Sequence, residues 1–240
     1  METRKWTEPY QVYWHDTDLK GEMNFAAISR YLQDVAWKSA ESLNFGFTKV
    51  AELNLHWVLV RQLIKMKRLP KWGEKIKIET WPRGLEGIWA YRDYQIKSEN
   101  GEVLGGVSSA WMVIDTITRR PQKLEIMKDV LPGTFLDSVI GDSASKILFN
   151  GEEKLIDKRQ ARYSDMDING HVNNSKYVDW MMDALSQSDK LGEYLNFHIN
   201  YISEVKSNEE IKIFMSEKPG TTLVKATNQK DKTIFIAELF

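Results

Sequence analysis

The chain of 240 residues carries 33 basic against 34 acidic side chains, a formal net charge of −1, and so lacks the basic excess of a general nucleic-acid binder. It contains no cysteine, which excludes a disulfide, a thiolate zinc site, an iron–sulfur cluster and a cysteine nucleophile. No apolar run approaches the ~18 residues of a membrane span, and the opening METRKWTEPYQ lacks the apolar core of a secretory signal, so the expected compartment is the cytoplasm.

Taken in chain order, the first signal is a turn, Asp16-Thr17-Asp18-Leu19-Lys20-Gly21-Glu22-Met23-Asn24, that leads into a helical pattern. Ile28, Leu32, Val35, Ser39 and Leu43 recur at spacings of three and four and share one helix face. Strand signals follow at Trp57–Met66, Lys75–Trp81, Ile88–Ile96 and Val103–Asp115, rich in aromatic and β-branched residues. Pro70, Gly73, Pro82-Arg83-Gly84 and Glu99-Asn100-Gly101 are read as turns between them. A connector is expected from Leu131 to Glu153, with Pro132-Gly133 and the small polar run 141–145.

The turn then returns. Asp165-Met166-Asp167-Ile168-Asn169-Gly170-His171-Val172-Asn173 repeats the Asp, Asp, Gly and Asn of the first copy in register, with apolar Ile168 and Val172 for Leu19 and Met23. Again a helical face follows, on Val178, Met181, Met182 and Leu185. The first copy holds three more residues before its next tyrosine (Asn24 to Tyr31, against Asn173 to Tyr177), about one helical turn. Strand signals come after the second helix at Phe197–Val205, Ile211–Met215, Thr222–Thr227 and Thr233–Phe240, with a turn at Asn228–Asp231. The pattern of strand, helix and several hairpin-linked strands thus runs twice. Successive strands without intervening helices imply antiparallel pairing, an α+β class.

Polar chemistry is concentrated in the second copy. Asp167, Asn169 and His171 offer an acceptor, a neutral amide donor and a group titrating near neutrality, all just before a helix start with its unpaired N–H groups. That set suits activated water attacking a carbonyl, with a developing oxyanion held by donors. The competing structural reading is a cap and turn. A metal held by Asp165, Asp167 and His171 lacks the paired-histidine spacing of most such sites. No phosphate-binding, dinucleotide-binding or serine-elbow motif is present, so no cofactor is expected. His15, His56 and His198 are read as structural.

The run Arg162-Tyr163-Ser164-Asp165-Met166-Asp167-Ile168-Asn169-Gly170-His171-Val172-Asn173-Asn174-Ser175-Lys176-Tyr177 resembles the signature of acyl-acyl carrier protein thioesterases. The resemblance extends to Trp14-His15-Asp16-Thr17-Asp18 and to Trp111–Asp115 with Thr118-Arg119-Arg120-Pro121, nearly the whole chain. It implies two tandem hotdog folds, each an antiparallel sheet wrapped around a long helix: residues 1–130 as the acyl-binding half, 131–153 as linker and 154–240 as the catalytic half. It also implies that Asp167, Asn169 and His171 serve thioester hydrolysis with a Glu from a Tyr-x-x-Glu segment. Tyr201-Ile202-Ser203-Glu204 has that pattern, so the Glu is Glu204. Many relatives place a Cys directly after this Glu. Here Val205 stands there, so an acyl-cysteine route is closed and water attack is favoured.

The implied substrate is fatty acyl-acyl carrier protein, with acyl-coenzyme A hydrolysis, a dehydratase of similar fold or a non-hydrolytic acyl-binding protein as alternatives. Trp57, Trp89 and Trp111 are candidates to line an acyl tunnel. An acidic carrier would meet either Lys65, Lys67, Arg68 and Lys71 or Arg119, Arg120 and Lys123. No nucleic-acid or membrane partner is expected, and the assembly is read as a monomer or homodimer.

Overall fold

The computed structural model describes residues 5–127, 137–187 and 194–240. The chain forms two compact units, Met1–Ala144 and Ser145–Phe240. Of the expected connector, residues 131–136, including Pro132-Gly133, lie outside the described residues, 137–144 go with the first unit, and 145–153 with the second.

The first unit begins with strand β1 (Trp6–Gln11), then helix α1 (Phe25–Ser42), a short α2 (Phe47–Glu52), and strands β2 (Leu55–Met66), β3 (Lys75–Glu86), β4 (Trp89–Ser98), β5 (Val103–Asp115) and β6 (Pro121–Gln122). The strands pair antiparallel in the order β1-β3-β4-β5-β2, with β6 also on β5. Helix α1 starts because Asn24 accepts the Ala27 N–H through its side chain at 2.8 Å, a cap worth about 1 kcal/mol. Ile28, Leu32, Val35 and Ser39 of its predicted face are all buried. The helix is tied to the sheet by Ser29 Oγ donating to Gln62 Oε1 (2.9 Å) and by the Tyr10 hydroxyl donating to Asp34 (2.6 Å). Beneath it the buried Arg92 guanidinium donates to Ser39 Oγ (3.0 Å) and Thr80 Oγ1 (3.1 Å). Burial pushes its pKa down.

One reading of this unit needs correction. Pro82-Arg83-Gly84 is not a turn: β3 runs through it to Glu86, with a bulge between Pro82 and Gly84. A proline is tolerated there because the β1 partner ends opposite Thr80 and leaves no ladder bond for Pro82 to make. The chain reverses instead after Glu86, where Gly87 takes φ +61°. Helix α2 lacks a sequence signal. Its Val50 packs with Phe45, Leu55, Val113 and Leu124 in a small satellite core.

The second unit comprises β7 (Lys154–Gln160), α3 (Asn174–Leu185), β8 (Asn196–Tyr201), β9 (Glu210–Lys218), β10 (Thr221–Asn228) and β11 (Thr233–Leu239). Its antiparallel order is β8-β11-β10-β9-β7. Helix α3 buries Tyr177, Val178, Trp180, Met181, Ala184 and Leu185. The Tyr177 ring meets Tyr201 of β8 (6.0 Å between centroids) and Phe235 of β11 (5.8 Å), which sets the helix on the sheet. Each unit is a hotdog, an antiparallel sheet around one principal helix. Predicted strand Phe197–Val205 is shorter than expected and ends at Tyr201. There the Ile202 and Ser203 N–H groups both donate to the Ile234 carbonyl (2.8 and 3.0 Å), as at a bulge, and the chain leaves the ladder just before Glu204.

Candidate active site

The two Asp-rich turns fold with the same hydrogen bonds. In the second, Asp167 N–H donates to the His171 carbonyl (2.9 Å), Gly170 N–H to the Asp167 carbonyl (3.0 Å), and Asn173 N–H to the Asp165 carbonyl (2.9 Å). In the first, the equivalent bonds run from Asp18 to Glu22 (2.8 Å), Gly21 to Asp18 (3.0 Å) and Asn24 to Asp16 (2.9 Å). Asp167 Oδ1 accepts the Asn169 N–H at 2.8 Å, as Asp18 Oδ1 accepts that of Lys20 at 2.8 Å. Gly170 and Gly21 take φ +74° and +72°, the left-handed region that a Cβ resists. Asn173 caps α3 by accepting the Ser175 N–H at 2.9 Å. Both helices begin directly after their Asn cap. The three extra residues before Tyr31 are therefore one further turn within α1, and Ile28 occupies the position of Tyr177.

The strand exit closes each turn in the same way. Val172 N–H donates to the Val205 carbonyl (2.9 Å), and Met23 N–H to the Pro70 carbonyl (2.7 Å). Leu69 thus stands where the second unit has Glu204. The frame is shared while the candidate side chains are not: Asn169, His171 and Glu204 correspond to Lys20, Glu22 and Leu69.

In the second unit this frame brings two of the predicted residues into contact. His171 Nε2 lies 3.3 Å from Glu204 Oε2, with side-chain exposures of 22% and 45%. The pair is reachable by solvent and close enough for proton exchange. Asp167 is half-buried and spends Oδ1 on the turn, so it shapes the backbone that carries Asn169. The Asn169 side chain is exposed at the turn's tip, beside Ile168, which is also exposed. Among the described residues no group of His, Asp and Glu side chains is placed to hold a metal ion.

Tyr177 is a site neighbour that the motif contains but whose role the sequence does not reveal. Its hydroxyl accepts the Val205 N–H at 3.2 Å. Burial raises its pKa far above the ordinary phenol value, and the nearby carboxylates of Glu204 and Asp167 add to that.

The other candidates fall in the first unit. Trp57 donates to the Phe45 carbonyl (2.9 Å) and packs on the satellite core, Trp111 donates to Ser109 Oγ (2.8 Å), and Arg61 lies over the Trp89 ring at 4.5 Å. Of the first basic set, Lys65 pairs with Asp142 and Arg68 with Glu74 (2.8 Å) and Glu102 (3.1 Å). Arg119, Arg120 and Lys123 are exposed where β5 turns into β6. His198, read as structural, is buried and sits 3.0 Å from Glu238.

Fold and turn together define a tandem hotdog protein whose two halves share one backbone frame. The model of the acyl-ACP thioesterase N-terminal domain matches residues 3–132, and that of the C-terminal domain residues 150–237. The chain belongs to the acyl-ACP thioesterase family. Among curated relatives, the chloroplastic palmitoyl-acyl carrier protein thioesterase of Gossypium hirsutum is 30% identical over 171 residues, 65% of this chain and 41% of that protein. The chloroplastic oleoyl-acyl carrier protein thioesterase 1 of Arabidopsis thaliana is 32% identical over 182 residues, 67% of this chain and 49% of that protein. The chain thus spans between two fifths and half of these relatives' length. Among solved structures, the 12:0-ACP thioesterase of Umbellularia californica superposes with a TM-score of 0.84 at 20% identity, covering 98% of this chain and 96% of that one. An acyl-ACP thioesterase of Bacteroides thetaiotaomicron gives 0.79 at 23%, covering 98% and 97%. These likenesses show the fold.

Proposed function

We propose that this chain hydrolyses the thioester of fatty acyl-acyl carrier protein to free fatty acid and carrier protein, using water activated in the second unit. The observation that carries the reading is the 3.3 Å contact between His171 Nε2 and Glu204 Oε2. Family membership supports the substrate class, and the absence of cysteine closes an acyl-cysteine route and so favours water attack.

In this reading Glu204, with His171 beside it, takes a proton from water as the water oxygen attacks the thioester carbonyl. Charge gathers on the carbonyl oxygen, where the Asn169 amide stabilises it; the N–H groups of Ser175 and Lys176, expected to help, are already bonded to Asn173. Collapse of the tetrahedral intermediate breaks the carbon–sulfur bond. The thiolate of the carrier's prosthetic arm then recovers the proton through the same pair. Asp167 holds the Asn169 backbone by its 2.8 Å bond and does not attack. The first unit, with Lys20, Glu22 and Leu69 at the equivalent positions, is assigned acyl binding. Arg119, Arg120 and Lys123, exposed around β6, are assigned to meet an acidic carrier.

Thiol release from one acyl chain carried on acyl carrier protein and on coenzyme A tests the assignment. Faster release from the carrier protein is expected. Preference for coenzyme A would move the chain to the acyl-CoA reading, and no release from either would leave an acyl-binding protein.

A further inference from the structure

We infer that Tyr177 is a positioning residue that holds Glu204 opposite His171, an inference that rests on the hydrolytic reading of that pair. Glu204 lies beyond the end of β8. Its segment is held on the near side by the Ile202 and Ser203 bonds to Ile234 and on the far side by the next residue. Val205 is fully buried, its N–H donates to the Tyr177 hydroxyl (3.2 Å), and its carbonyl accepts the N–H of Val172, the neighbour of His171 (2.9 Å). One peptide on each side of Val205 is thus tied, one to the helix that follows the turn and one to the turn itself. The carboxylate and the imidazole sit on the residues adjoining that tie.

The first unit supplies an internal comparison. Its equivalent of Val205 is Pro70, which has no N–H, and its equivalent of Tyr177 is Ile28, which has no hydroxyl. The carbonyl bond is kept there, from Met23 to Pro70 at 2.7 Å. Donor and acceptor of the brace are therefore both lacking in the half that also lacks the Glu and His, while the bond that merely closes the turn persists. A packing role for a buried aromatic does not account for that pairing. A second buried tyrosine shows the difference: Tyr201, 6.0 Å away between ring centroids, has a buried hydroxyl without a hydrogen-bond partner.

The test compares Tyr177→Phe with Tyr201→Phe in the full chain, each alone and with Glu204→Gln. Y177F removes the acceptor without removing the ring. Turnover is expected to fall by on the order of 10²-fold, the effect of misplacing a reacting group by about an ångström, with KM little changed. Y201F is expected to keep wild-type turnover. The Y177F/E204Q double variant is expected to be no slower than E204Q, because Tyr177 acts through Glu204. Amide exchange at Val205 should accelerate in Y177F while Val172 stays protected. Unchanged turnover in Y177F, or losses that multiply in the double variant, would overturn the positioning role. An E204Q protein with full turnover would instead overturn the hydrolytic reading, and Val205 exchange would still report whether Tyr177 holds the segment. If Y177F does not fold, the wild-type amide carries the test: Val205 must be protected to the level of Val172, and fast exchange contradicts the brace.

Discussion

Glu204 Oε2 sits 3.3 Å from His171 Nε2 although the whole of α3 and β8 lies between them in the chain. The contact exists because β8 stops at Tyr201 and the released segment returns to the Asp-rich turn through the Val172–Val205 bond. The same return path occurs in the first unit, where Leu69 occupies the position and no such pair can form. One frame thus serves both halves, and side-chain identity alone separates them.

Asn169 is the donor assigned to the developing oxyanion. Asn169→Ala should lower kcat by about 10²–10³-fold, typical for loss of one such donor, and should leave the melting temperature nearly unchanged because the side chain is exposed. Steady-state kinetics with a melting curve checks both. A drop in KM affinity alone would place Asn169 in substrate binding.

The two left-handed glycines allow a matched comparison between halves. Neither Gly170 nor Gly21 has atoms within 4 Å of an added Cβ, so alanine at either costs only backbone strain, roughly 1–2 kcal/mol. Gly21→Ala should therefore lower stability and spare turnover. Gly170→Ala should lower stability by a similar amount and turnover as well, because Gly170 lies between Asn169 and His171. Equal turnover in the two variants would contradict the asymmetry of function.

Glu74 gives a pH-dependent contribution to stability. Hydrogen bonds from the Arg68 guanidinium, at 2.8 and 3.0 Å, hold its carboxyl below the ordinary carboxylate range, against the opposing effect of partial burial. A carboxyl lowered in the folded state stabilises fully above its unfolded pKa, about 4.3, and loses that contribution as pH falls through the folded value. The melting-temperature gap between wild type and Glu74→Gln should be present at pH 7 and close below about pH 4. A gap that persists unchanged into that acid range would rule out the Arg68 pairing as its source.

Charge reversal at Arg119 and Arg120 tests carrier docking. The double variant to Glu should raise KM for carrier-linked substrate and spare short synthetic thioesters, with the difference shrinking as salt is added. Equal loss on both substrates would count against a docking surface there.

The duplication, the principal helices and most strands are legible in the sequence because each buries one face in a regular period. Ile28, Leu32, Val35 and Ser39 are buried as their spacing requires, and β5 spans Val103–Asp115 as read. What escapes is set by tertiary partners. Pro82 signals a turn by its own chemistry and is overruled because β1 ends opposite Thr80. Helix α2 is too short for a period to show. For Glu204, the resemblance to a Tyr-x-x-Glu segment names the residue, but its approach to His171 depends on Ile202 and Ser203 converging on one carbonyl of β11. The brace at Tyr177 joins a helix residue to a backbone N–H, a bond that no residue pattern encodes.

Turnover of purified Glu204→Gln on acyl-acyl carrier protein, followed by thiol release, bears most directly on the chemistry. Loss of a positioned acid–base group predicts a fall in kcat of about 10²–10⁴-fold, with a melting curve matching wild type because the side chain is partly exposed. A folded E204Q enzyme that releases thiol at the wild-type rate would contradict water activation by the His171–Glu204 pair.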